Sequence, residues 1–226
     1  MDRPAIETRA FELPLRCRYL VRPGTAPPER SLVFLALHGH AMTPELMLGL
    51  TAPLIGEKHT IAALQGPYQI WVNAEDTPRS RVAFHWATSF EPEHSRRLHQ
   101  QMILRVLEEC RGDPARAVLV GYSQSVSLNY RFVCAHPDTV GGVIGICGGL
   151  PGDWDQEMAR SNAAALHICT REDQYYPTQV TATYAERLRR RIEDVEVHTL
   201  DGGHRIPSAA AGPIRAWVER VYGALL

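Results

Sequence analysis

The sequence predicts an α/β protein: a three-layer α/β/α sandwich around a mostly parallel sheet. Three observations carry this. From Ser31 onward, short β-rich runs alternate with longer stretches of helical periodicity, the order that builds parallel strands joined by crossover helices. The run 32–37 is continuously apolar, as strands buried on both faces are. The chain has 226 residues, 45% of them hydrophobic, which suffices for one sheet covered on both sides. A single domain spanning residues 1–226 is expected.

The elements follow in order. Residues 11–21 read as edge strands or a hairpin, ended by the turn Arg22-Pro23-Gly24-Thr25-Ala26-Pro27-Pro28, where prolines deny the ladder its N–H donors. The runs 32–37 and 61–64 are the first buried strands, and Gln65-Gly66-Pro67 stops the second. Segment 64–93 carries Tyr68, Trp71, Phe84, Trp86 and Phe90 with little periodicity. Its aromatics argue against disorder, and a loop of that length is commonly functional, so it reads as a wall of a substrate pocket.

Over 94–110, Leu98, Met102 and Val106, with Ile103, Leu107 and Cys110, recur at helical spacing, and Gly112-Asp113-Pro114 closes the helix. A strand over 117–120 leads to Gly121-Tyr122-Ser123-Gln124-Ser125, followed by a buried helix over 126–135. The stretch 141–149 is a Gly-rich strand whose glycines permit close backbone approach. Runs 165–169 and 195–200 are the last two strands, with a helix over 178–190 between them and a final helix over 209–222. The sequence contains no internal repeat and no low-complexity segment.

Charge excludes several partner classes. Lys and Arg number 24 against 25 Asp and Glu, a net charge of −1, which makes no electrostatic case for nucleic acid or an anionic membrane. A small or neutral substrate fits better. The five cysteines Cys17, Cys110, Cys134, Cys147 and Cys169 form no CxxC pair and read as reduced core residues. Residues 1–7 include acidic side chains and no apolar leader, and no apolar run approaches the ~20 residues that span a bilayer. A cytoplasmic location is the expectation.

The chemistry gathers at Ser123. A serine between a strand and a helix sits on a tight turn that lifts its hydroxyl clear of the sheet and aims the next backbone N–H, that of Gln124, at a reacting carbonyl oxygen. A hydroxyl has almost no alkoxide at neutral pH, so it needs an imidazole as base and a carboxylate to orient that imidazole. Asp173 follows one strand in Thr170-Arg171-Glu172-Asp173-Gln174-Tyr175-Tyr176-Pro177, and His204 follows the next in Leu200-Asp201-Gly202-Gly203-His204. Both loops open at the carboxyl edge of the sheet, where open α/β sheets bind ligands. Leu37-His38-Gly39-His40-Ala41-Met42 follows the first buried strand, and the N–H of His40 is the candidate second oxyanion donor.

These motifs together resemble the phospholipase/carboxylesterase branch of the α/β-hydrolases, the branch containing acyl-protein thioesterases. The resemblance rests on His38-Gly39, Gly121-Tyr122-Ser123-Gln124, Asp173 with Pro177, and Gly203-His204, and runs from about residue 32 to 207. It implies an α/β-hydrolase fold without a large cap domain and a serine esterase or thioesterase with Ser123 as nucleophile, Asp173 as acid and His204 as base. No cofactor and no metal is implied. Two positions depart from the pattern: Ser125 stands where the family has Gly, and His40-Ala41-Met42 stands where the loop usually continues into Gly-Asp. Ser125 is expected to bring modest strain.

Other assignments remain open on the sequence alone. Glu172, Asp153 and Asp155 compete with Asp173, and His198 and His167 compete with His204. His38 and His40 have the spacing of a metal pair but no nearby carboxylate or Cys, which favours loop-ordering hydrogen bonds from His38. Trp86 and Phe90 line the pocket or belong to the core, and Arg187, Arg189, Arg190 and Arg191 alternate with acids as a solvated face does. A dienelactone-type or peptide-cleaving hydrolase would share the triad, and a silent relative would use the cleft only to bind.

Overall fold

The computed structural model describes residues 7–73, 75, 78, 80–110, 113–156 and 158–226. Residues 1–6, positions 74, 76, 77 and 79 of the aromatic segment, 111, Gly112 and 157 lie outside the described residues. Seven strands form the main sheet: β1 (Tyr19–Arg22), β2 (Val33–Leu37), β3 (Thr60–Leu64), β6 (Ala117–Tyr122), β7 (Gly142–Ile146), β8 (Ala164–Thr170) and β9 (Val195–Leu200). Their spatial order is β1-β3-β2-β6-β7-β8-β9. Only β1 runs antiparallel, on β3, and every other pairing is parallel. The chain moves outward from β2 to β3 and then crosses to β6 on the other side. The loops after β2 and β6 therefore meet in the crevice where strand order reverses, the place where such sheets bind ligands.

Alternation along the strands sorts side chains into two layers. Leu35, Leu37, Leu119 and Val143 face α2 (Pro92–Glu109) and α3 (Gln124–Ala135), packing with Ile103, Val106, Val126 and Phe132. Phe34, Ala36, Val118, Val120 and Ile144 face the opposite way, onto α1 (Pro44–Ile55) and α6 (Ala211–Tyr222) through Met47, Leu54, Ile214 and Trp217. Each fully buried Leu, Ile, Val or Phe contributes about 1.5–3 kcal/mol relative to an exposed one. The three-layer sandwich expected from the pattern is the one that forms.

Local departures have physical causes. The region 11–21 forms a strand only from Tyr19, pairing Tyr19 with Leu64 and Arg22 with Ile61; Phe11, Leu13 and Leu15 are exposed. Helix α1 was hidden by Pro44, Gly49 and Pro53, yet Thr43 caps it by accepting the Leu46 N–H, and Pro44 occupies the first turn, where it removes no hydrogen bond. The segment 64–93 is not a loop throughout. It contains an antiparallel ribbon of β4 (Tyr68–Val72) and β5 (Arg81–His85). The helix expected over 178–190 divides into α4 (Thr178–Thr181) and α5 (Tyr184–Arg189). Cys134, Cys147 and Cys169 are buried as expected, but Cys17 is exposed.

Two predictions follow from the packing. A Cβ on Gly142 would lie 2.4 Å from Tyr222 Oη and 2.6 Å from Trp217 Cη2. Both partners are large, buried side chains of α6, so Gly142→Ala is expected to destabilise by about 1–3 kcal/mol in urea unfolding. No change in midpoint would show that α6 shifts freely. The second concerns pH. Burial lowers the imidazoles of His38, His59 and His167 to about 4 and that of His99 to about 3. Unfolded histidines titrate near ~6.5, so the unfolded chain binds more protons between those values and the native state loses stability as pH falls from about 6.5 toward 4. Unfolding midpoints are expected to be lower at about pH 6 than at about pH 7.5, and lower again at about pH 5.

Candidate active site

The site starts from one strained residue. Ser123 sits between β6 and α3 with φ 55° and ψ −112°, a region that L-residues adopt only when their surroundings force it, at about 1–3 kcal/mol. The Ser123 N–H donates to Ile146 O at 3.0 Å, tying the turn to the end of β7. The absence of a side chain at Gly148 lets that strand end approach, since a Cβ there would meet Val126 at 2.4 Å and Ser123 O at 2.7 Å. The glycines of 141–149 permit the close approach expected of them, Gly142 against α6 and Gly145 and Gly148 against the elbow helix.

Ser123, His204 and Asp173 come together. The hydroxyl of Ser123 lies 2.8 Å from His204 Nε2, and His204 Nδ1 lies 2.8 Å from Asp173 Oδ2. Asp173 is buried, and its other oxygen accepts the N–H groups of Tyr175 (2.9 Å) and Tyr176 (3.0 Å). The carboxylate oriented this way faces His204 Nδ1, and the imidazole turns its Nε2 to the Ser123 hydroxyl.

The loop bearing His204 is held by three side chains that sequence reasoning missed. Thr170 Oγ1 donates to Gly203 O at 2.9 Å, Tyr122 Oη donates to His204 O at 3.0 Å, and Cys147 Sγ donates to Arg205 O at 3.2 Å. Three consecutive carbonyls are thus taken by donors from the ends of β8, β6 and β7. Burial raises Tyr122 to about 12 and Cys147 to about 11, so at neutral pH both keep the proton they donate. The Tyr122 ring also stacks on the imidazole at 5.4 Å. Only the appearance of donor-bearing residues at three strand ends could have hinted at this, and that is too common to read.

The loop after β2 is ordered by His38. Its Nδ1–H donates to Gly39 O at 2.7 Å and its Nε2 accepts the Gly66 N–H at 2.9 Å. His38 is therefore a neutral structural group, matching the loop-ordering alternative. Trp86 Nε1 donates to His38 O at 2.8 Å, and Phe84 N donates to Met42 O at 2.9 Å, so the segment after β4 grips this loop on both sides of His40. The same segment grips the elbow, because Gln124 Oε1 accepts the Trp86 N–H (3.0 Å) and Gln124 Nε2 donates to Ala87 O (3.2 Å). Gln124 opens α3, and first-turn N–H groups of a helix have no intrahelical acceptor.

Ser125 does not behave as a strained replacement for glycine. It is fully buried, and its hydroxyl accepts the Tyr122 N–H at 3.0 Å while donating to Leu37 O at 2.7 Å. The side chain stitches the elbow to the last residue of β2, immediately before the His38-Gly39-His40 loop.

These residues line an open cleft of about 540 Å³ that includes His40, Met42, Ser123, Gln124, Tyr175 and His204. Trp86 and Phe90 are not among its lining residues. The Trp86 side chain is fully buried, packing its ring on His38 and His99, and Phe90 is 77% exposed beside the start of α2. The competing acids have other partners: Asp153 pairs with Arg131 at 2.7 Å and Asp155 with Arg187 at 2.8 Å. His167 is buried on Tyr130 Oη at 2.8 Å, and His198 faces Glu196 at 3.3 Å. Arg187 and Arg190 pair with acids, Asp155 and Glu186, as a solvated face does.

Fold and site together define an α/β-hydrolase. The phospholipase/carboxylesterase family matches residues 93–221, more than half of the chain. The chain belongs to this family and is a carboxylesterase-like serine hydrolase, acting on carboxylic esters or thioesters. Among solved structures it is similar to the esterase PE8, at 18% identity with a TM-score of 0.73, covering 92% of this chain and 100% of that one. It is also similar to a carboxylesterase of Bacillus cereus, at 12% identity and TM-score 0.71 over 91% of this chain and 94% of that one. A third is a carboxylesterase of Mesorhizobium loti, at 18% identity and TM-score 0.70 over 90% and 95%. At these identities the likeness is one of fold. A search of curated protein sequences finds no match.

The Ser125 stitch yields a test. Ser125→Ala would leave the Tyr122 N–H and Leu37 O without their hydroxyl partner, a loss of about 1–3 kcal/mol for a buried pair. Unfolding in urea is expected to show that loss, and turnover of p-nitrophenyl acetate a lower kcat with little change in KM. Wild-type stability and kcat in the variant would show that the two strands close the gap by themselves.

Proposed function

We propose that Ser123, His204 and Asp173 carry out two-step acyl transfer to water through an acyl-enzyme on Ser123. The observation that carries this reading is the continuous chain Ser123 Oγ, His204 Nε2, His204 Nδ1, Asp173 Oδ2, with both links at 2.8 Å. His204 takes the serine proton as the hydroxyl attacks an ester or thioester carbonyl, then gives it to the departing alcohol or thiol. The backbone N–H groups of Gln124 and His40 receive the oxyanion; support comes from Gln124 opening α3 and from both residues lining the cleft beside Ser123. Water then attacks the acyl-enzyme with His204 again as base. No step in this scheme calls on a metal or cofactor.

We also read residues 1–226 as a single hydrolase domain in which segment 64–93 backs the pocket from behind its lining, a reading supported by the bond from Phe84 N to Met42 O. Among the described residues no helix is long and apolar enough to cross a membrane. The five cysteines are unpaired, and such thiols persist in reducing compartments, which favours a cytoplasmic enzyme acting on small esters.

The test is a burst assay with p-nitrophenyl acetate and butyrate beside Ser123→Ala, combined with fluorophosphonate labelling mapped by mass spectrometry. Turnover and label at Ser123 are expected in the wild type, with kcat in the variant lower by about 10⁴–10⁶. A folded wild-type protein that neither turns over ester nor takes the label at Ser123 would sink the assignment.

A further inference from the structure

Tyr175 is a large aromatic side chain left 69% exposed at the mouth of the cleft. Its ring stands edge-on to the His204 imidazole, with centroids 4.7 Å apart at 70°. It is not a loosely hung residue, because its N–H donates to Asp173 Oδ1 at 2.9 Å, so the carboxylate that orients His204 also sets the position of Tyr175. Among the described residues no Asp, Glu, Lys or Arg lines the cleft. Such a site favours uncharged groups, and of its three tyrosines Tyr175 is the exposed one, Tyr122 and Tyr176 being half-buried.

The chemistry tells which half of a substrate reaches that surface. His204 delivers the proton to the leaving group, so the alcohol half departs on the imidazole side of Ser123. Tyr175 packs on that imidazole. The acyl half is left the remaining lining, which includes Met42, Gln124 and Ser127. There the Gln124 amide is committed to the backbone of Trp86 and Ala87, and the Trp86 ring behind it belongs to the core. The lining therefore offers an acyl chain a single aliphatic side chain, Met42, to cover, while its exposed aromatic surface, Tyr175, lies against the imidazole.

We propose that Tyr175 is a specificity-determining residue, the platform on which a planar aromatic leaving group packs, and that the preferred substrates are uncharged aryl esters with short acyl groups. The proposal rests on the acyl-transfer reading above. Aromatic rings in contact prefer offset or edge-to-face arrangements, and an exposed ring already held edge-on to the imidazole needs no rearrangement to receive another.

The experiment compares kcat/KM of the wild type, Tyr175→Ala and Tyr175→Trp on 1-naphthyl acetate, methyl acetate and 1-naphthyl decanoate, with fluorophosphonate labelling in parallel. Tyr175→Ala is expected to lower kcat/KM for naphthyl acetate about tenfold more than for methyl acetate, which corresponds to about 1.4 kcal/mol of contact. Tyr175→Trp is expected to retain the wild-type ratio between the two acetates, and the decanoate to be a poorer substrate than the acetate. Equal losses on both acetates, or no loss, in a protein that still labels at Ser123 would overturn the platform alone. A decanoate turned over faster than the acetate would overturn the short acyl half. A wild-type protein that neither labels nor turns over any ester would overturn the acyl-transfer reading and the platform with it.

Discussion

The backbone of Ser123 is the constraint on which the site depends. At φ 55° and ψ −112° it turns a strand into a helix within one residue, and nothing in serine favours that conformation. It is kept by its surroundings. The amide is tied to Ile146 at the end of β7, Gly148 lets the strand end lie against α3, and Ser125 binds the turn to Leu37 of β2. Three adjacent strands thus converge on one residue, and the stability of the sheet holds the strained turn in place.

The same economy governs the histidine. A loop that must hold an imidazole to within a fraction of an ångström of a hydroxyl needs more than one anchor. Here three successive carbonyls, those of Gly203, His204 and Arg205, are bound by Thr170, Tyr122 and Cys147. Because those donors sit at strand ends, the loop is registered to the sheet. Asp173 completes the arrangement from a different loop, and the two tyrosine amides on its second oxygen leave the first to the imidazole.

The ribbon of β4 and β5 joins the two halves of the site. From its C-terminal end, Phe84, Trp86 and Ala87 bond to Met42, His38 and Gln124, contacting both the loop after β2 and the first residue of α3. The aromatic segment therefore acts through its backbone and through a buried indole. Trp86 could line a pocket or belong to the core on sequence alone, since clefts too are rich in aromatics; it belongs to the core, and its indole N–H, which needs a buried acceptor, is satisfied by His38 O.

Much of the molecule was legible beforehand, for reasons that lie in local chemistry. Period-two and continuous apolar runs mark strands, the 3.6-residue period marks α2 and α6, and a serine between strand and helix followed by Asp and His loops marks the triad, because chain order is preserved in one dimension. The ribbon was not legible, since positions such as Gln69 and Arg81 break the apolar run and its pairing partners lie across a turn. Helix α1 was masked by two prolines that its first turn and its packing tolerate. Ser125 was misjudged because a hydroxyl was weighed as volume, while its value lies in two partners, Tyr122 N and Leu37 O, the second contributed by a residue 88 positions away. The sequence by itself determined the layers, the mostly parallel sheet and the residues proposed as the reacting groups, because these follow from periodicity and from residue chemistry. Only the tertiary structure decided which carbonyls the hydroxyls, the thiol and the indole bind, and which aromatic ring is left open beside His204, because hydrogen bonds and exposure are properties of groups brought together from distant parts of the chain.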